Sequence, residues 1–179
     1  MRATKANTHT ISSYHWCLSL LHWGMVALLG WLIWGGWALE GLGFGAAAAQ
    51  AYGQHKAVGM IALGLAMVRL ALRLALPGPG HAPNWRGRAS LGVQRALYGL
   101  MLLYPISGYA FHSATQGVKV PLGLWGWEIP DVVMGGAAFW QSIHHLCLPA
   151  LGFVLSLHLA GALFHLSQRD GMIRRILPF

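Results

Sequence analysis

Apolar residues run through this chain in four long blocks, and charge, proline and glycine collect between them. No Asp, Glu, Lys or Arg lies between Lys5 and Glu40, and none between Asp131 and Arg169. Blocks of this length predict helices over roughly 14–39, 51–76, 91–111 and 137–166. A hydrocarbon core about 30 Å thick needs about 20 residues of helix, and each block is long enough. In lipid every backbone N–H and C=O must be paired within the protein, which makes helix the physical default. The expected fold is all-α: an integral membrane four-helix bundle, formed by one transmembrane domain over residues 1–179.

The second block is the least uniform, because Arg69 and Arg73 fall in its last third. Such arginines either snorkel to the headgroups or face inward toward anionic groups. Pro77, Pro79 and Pro83 with Gly78 and Gly80 then break the chain into a loop. Pro105 is expected to kink the third helix.

Composition agrees with the blocks. Hydrophobic residues make up 56% and charged residues 9%, against about 25% charged in a soluble domain. This excludes disorder, and so few charges would not cover a water-soluble globule. The net charge of +8 does not call for nucleic acid once the charges are placed. With the N-terminus inside, Arg2, Lys5, Arg69, Arg73, Arg86, Arg88, Arg95, Arg169, Arg174 and Arg175 lie on the inner side, leaving Lys56 and Lys119 outside. That is a strong positive-inside bias with both termini cytoplasmic, and it gives the inner face affinity for anionic lipid. Cys17 and Cys147 are expected at opposite sides, too far apart for a disulfide. No Cys-x-x-Cys-His occurs, so nothing points to covalently attached haem.

The chemistry lies in ten histidines, several of them inside the apolar blocks. A buried imidazole in a membrane is costly, and it faces the bundle interior as a functional group or as cross-helix glue. In the fourth helix His144 and His158 are 14 residues apart, so they share one face within about 40° and stand about 21 Å apart along the axis. His145 falls on nearly the opposite face. The first helix starts inside and offers His22 at the depth of His158; the second starts outside and offers His55 at the depth of His144. Two cross-helix pairs result, His22 with His158 and His55 with His144. Facing imidazoles suit axial ligation of a haem iron in a four-helix bundle, whereas zinc wants more ligands at one depth. His15 and His165 form a rival pair at the inner boundary. Arg69, 14 residues after His55, shares its face at the depth of the inner pair. It either meets a haem propionate or snorkels. Lys56 and His112 read as interfacial, His9 and His81 carry no role, and most of the nine tryptophans read as an aromatic belt.

These residues resemble the prokaryotic cytochrome b561 family over almost the whole chain. The resemblance is carried by Leu21-His22-Trp23, by His55-Lys-Ala-Val-Gly59 with Arg69-Leu-Ala-Leu-Arg73, and by Leu97-Tyr98. It continues through Pro105-Ile-Ser-Gly108-Tyr109, His144, Leu157-His158, Arg169-Asp170-Gly171 and Arg174-Arg175-Ile-Leu-Pro178. It implies two haems b with His22/His158 and His55/His144 as axial ligands of the iron. It implies a multi-pass protein of the bacterial inner membrane that moves electrons between a periplasmic donor, superoxide being one possibility, and the quinone pool. An enzyme of this kind would be a superoxide:quinone oxidoreductase. His165 is the candidate for hydrogen bonding a quinone carbonyl. The family's His about four residues before the third-helix Tyr is Gln94 here, outside the ligand set. Outside, Lys56 and Lys119 face Glu40, Glu128 and Asp131, so the net charge does not attract superoxide. Two alternatives remain open. One is a cytochrome b subunit of a larger hydrogenase or dehydrogenase complex, separable by co-purification with a partner redox enzyme. The other is a haem-free membrane protein, which would purify colourless.

Overall fold

The computed structural model describes residues 16–76, 83–115 and 135–169, with Gly171 and Ile176. Four helices make up the described residues: α1 (Trp16–Glu40), α2 (Ala46–Ala75), α3 (Trp85–Ala114) and α4 (Ala137–Gln168). The chain is an all-helical membrane bundle. α1, α2 and α4 are long and apolar enough to cross a membrane, while α3, with Arg86, Arg88 and Arg95 in its first half, is equally long but more polar. Arg2, Lys5, His9, His15, His81, Lys119, Glu128, Asp131, Arg174, Arg175 and the Pro77–Gly80 break lie outside the described residues.

Two helices start earlier than the apolar blocks suggest. α2 opens at Ala46 rather than near 51, because the run Ala46–Ala49 is strongly helix-forming once Gly45 has turned the chain. α3 opens at Trp85 rather than near 91. Asn84 caps it, its side-chain oxygen accepting from the Gly87 N–H at 2.9 Å. Capping lets the polar first turns be helical although they are not apolar. Pro105 lies inside α3 and Pro149 inside α4, each withholding the N–H that would bond the carbonyl four residues earlier.

Packing is inside-out relative to a soluble protein. The buried positions are mostly small: Ala48, Ala57, Ala66, Ser107, Ala110 and Ser113. Large apolar side chains such as Trp34, Trp37, Phe153 and Leu163 are exposed. Small residues let helix backbones approach closely where lipid gives no hydrophobic drive to associate, and the large ones meet acyl chains. α1 packs on α2, α2 on α3, and most extensively α3 on α4. Among the described residues α1 and α4 have no comparable backbone contact.

Candidate haem-binding site

His22 and His158, the inner pair, meet across the bundle. His22 of α1 and His158 of α4 bring their ring centroids to 6.2 Å with planes at 65°. Both are half-buried on helices whose backbones do not pack closely. A metal–imidazole nitrogen bond is about 2 Å, and a ring nitrogen is about 1 Å from its ring centre, so two axial imidazoles hold their centroids about 6 Å apart. The separation leaves room for a metal between them, and the tilt of the planes sets the rings edge to face rather than stacked flat. Trp23 stands edge-on to His22 at 5.3 Å, and its indole N–H donates to the Ile176 carbonyl at 3.2 Å. That contact brings Ile176 beside the inner pair.

Arg69 points into the bundle. Its guanidinium donates to the Leu18 carbonyl of α1 and lies within electrostatic reach of both His22 and His158. Leu18 is one turn before His22, so the arginine fastens α2 to the turn that carries that imidazole. Arg73 lies half-buried in the last turn of α2.

The outer pair is built differently. His144 of α4 lies against α3, its ring 4.4 Å from that of Tyr104. Its Nδ1 is 3.1 Å from the Tyr104 carbonyl and 3.2 Å from Ser107 Oγ. A carbonyl oxygen only accepts, so Nδ1 carries the proton and Nε2 keeps its lone pair. Hydrogen bonding of the far nitrogen is the usual way a ligating imidazole is oriented. Gly108 makes the approach possible: a Cβ there would stand 2.8 Å from His144 Cε1. His55 of α2 lies within electrostatic reach of His144 and packs on α1, 3.3 Å from where a Gly36 Cβ would be. Its Nδ1 is buried with no hydrogen-bond partner in the protein. The two glycines seat the imidazoles of His55 and His144, and an unpartnered buried nitrogen on one with a lone-pair nitrogen on the other is a donor set that fits an iron cofactor held by nitrogen.

His145 is exposed on α4, and His165 is half-buried with Phe164 at 5.7 Å. The structure pairs two residues read separately as interfacial: Lys56 Nζ lies 3.0 Å from His112 Nδ1. His112 is one turn beyond Gly108 and Lys56 adjoins His55, so this contact lies next to the elements that carry His55 and His144. Sequence reasoning missed Tyr104, Ser107, Gly36 and the Lys56–His112 contact. Only the Pro105-Ile-Ser-Gly108 run carried a signal, through its place in the resemblance.

A family model described as prokaryotic cytochrome b561 matches residues 13–179. The chain is also similar to cytochrome b561 homolog 2 of Escherichia coli (strain K12), 26% identical over 184 aligned positions that cover 93% of this chain and 88% of that relative.

Proposed function

We propose, on the premise that this chain belongs to the prokaryotic cytochrome b561 family and is therefore a membrane b-type cytochrome that transfers electrons, that it holds two haems b at two depths and connects a periplasmic donor to the quinone pool. His22 and His158 hold the inner one; His55 and His144 hold the outer one. A haem bound at each pair supplies one-electron redox chemistry. The observation that carries this reading is the 6.2 Å approach of His22 and His158 across two helices that share little backbone contact among the described residues.

The remaining roles belong to the chain's own residues. Arg69 brings a guanidinium beside the inner pair, where it neutralises a propionate. His165, seven residues beyond His158 on α4, offers a ring nitrogen to a quinone carbonyl at the inner edge. Ten cationic residues inside against two outside support an orientation with both termini cytoplasmic in the bacterial inner membrane.

Quinone coupling is tested with haem-replete protein in detergent, reduced by enzymatically generated superoxide and then mixed with a short-chain ubiquinone analogue. The expected result is rapid reoxidation, slowed at least tenfold by His165→Ala. Protein that superoxide does not reduce, or that quinone does not reoxidise, contradicts the proposed direction of flow.

A further inference from the structure

We infer that Ser107 is a positioning residue that makes His144 the fixed, electron-richer ligand of the outer pair and thereby lowers the reduction potential of the outer centre. The inference rests on the proposed assignment of His55 and His144 as outer ligands.

Ser107 is completely buried on α3. Its hydroxyl donates to the Tyr104 carbonyl at 2.7 Å, one turn earlier on its own helix. With its proton directed there, Oγ presents lone pairs to His144 Nδ1, 3.2 Å away, beside Cys147 of α4, which is also a hydrogen-bond neighbour of Ser107. The Tyr104 carbonyl accepts from the same nitrogen at 3.1 Å. One imidazole N–H therefore meets two acceptors, both supplied by a single turn of α3. The absent side chain of Gly108 lets the ring settle into that turn. The other member of the pair is held otherwise: His55 Nδ1 is buried without a partner in the protein. The two sides of the outer centre thus differ in hydrogen bonding as well as in helix of origin.

Acceptors on the far nitrogen raise the basicity of a ligating imidazole, and a more basic ligand favours the ferric form. Ser107 adds a second acceptor to the one the backbone already gives. Its removal leaves the carbonyl, and with it the tautomer, so the outer site stays assembled while its potential rises. A residue that served only packing would not move the potential in a manner restored by a hydroxyl.

The test is a redox titration of haem-replete protein, following both centres by absorbance and by low-spin electron paramagnetic resonance. Wild type is compared with Ser107→Ala, Ser107→Thr and His144→Ala. The expected result is a higher potential and altered resonance for one centre in Ser107→Ala, near-wild-type values in Ser107→Thr, and an unmoved second centre in both. His144→Ala identifies the moved centre as the one it abolishes. A Ser107→Ala protein whose potentials and spectra match wild type, or whose two centres shift together, overturns the inference. If instead His144→Ala retains both centres, the ligand assignment itself is wrong, and the role of Ser107 falls with it.

Discussion

Gly108→Ala asks the sharpest question of the outer site. The added Cβ would stand 2.8 Å from His144 Cε1 and 3.0 Å from Nδ1. Ordinary carbon contacts are about 3.5–4.0 Å, so the ring has to retreat by roughly 0.7 Å or more. It cannot do so freely, because Nδ1 is already 3.1 Å from the Tyr104 carbonyl and 3.2 Å from Ser107 Oγ. A retreat of that size takes the nitrogen beyond hydrogen-bonding range of both. Overpacking costs about 1–3 kcal/mol and a lost hydrogen bond about 1 kcal/mol. Against these, alanine favours helix over glycine by about 1 kcal/mol. The balance is about 1–3 kcal/mol against the assembled site. At 1.4 kcal/mol per factor of ten, outer haem binding weakens by roughly 5- to 150-fold. The assay is haem stoichiometry and retention during dilution with apomyoglobin as acceptor. Gly99→Ala on the same helix is the control, since nothing lies within 4 Å of its added Cβ. Gly108→Ala protein that keeps both haems as tightly as the Gly99→Ala control would refute the packing of His144 into α3.

Three further substitutions test other parts of the bundle. Gly36→Ala meets His55 Cε1 at 3.3 Å, a milder crowding, so it should weaken outer haem retention less than Gly108→Ala does; an equal or larger loss contradicts the geometry. Arg69→Met removes the charged hydrogen bond to the Leu18 carbonyl and should cost about 1.5–3 kcal/mol. It should be read as a lower thermal midpoint in detergent with selective loss of the His22/His158 haem, and loss of the outer haem alone would contradict it. Asn84→Ala removes the α3 cap and should cost about 1 kcal/mol, lowering the midpoint by a few degrees while leaving both haem spectra intact.

What the sequence made legible follows from what periodicity encodes. His144 and His158 share a face because 14 residues is close to four whole turns, and the meeting of His22 with His158 followed from matching depths. What stayed hidden was what stands behind the imidazoles. The acceptor for His144 is a backbone carbonyl, which every residue has and no sequence marks. Ser107 reads in sequence as one more small residue in a membrane helix. Arg69 is expected from sequence at the depth of the inner pair, but its bond to Leu18 needs the crossing of α1 and α2. The early start of α3 was obscured because Arg86 and Arg88 break the apolar block, although Asn84 was a readable cap. Lys56 and His112 were each assigned to the interface, and only the packing of α2 on α3 brings them together.

The central claim is that two imidazole pairs hold two haems. The direct measurement is a pyridine haemochrome count with a reduced-minus-oxidised spectrum, made on wild type, His55→Ala and His158→Ala. The account predicts two b-type haems per chain, with a spectrally different one missing from each variant. A wild-type protein with no haem, or haem left intact by both substitutions, would contradict it.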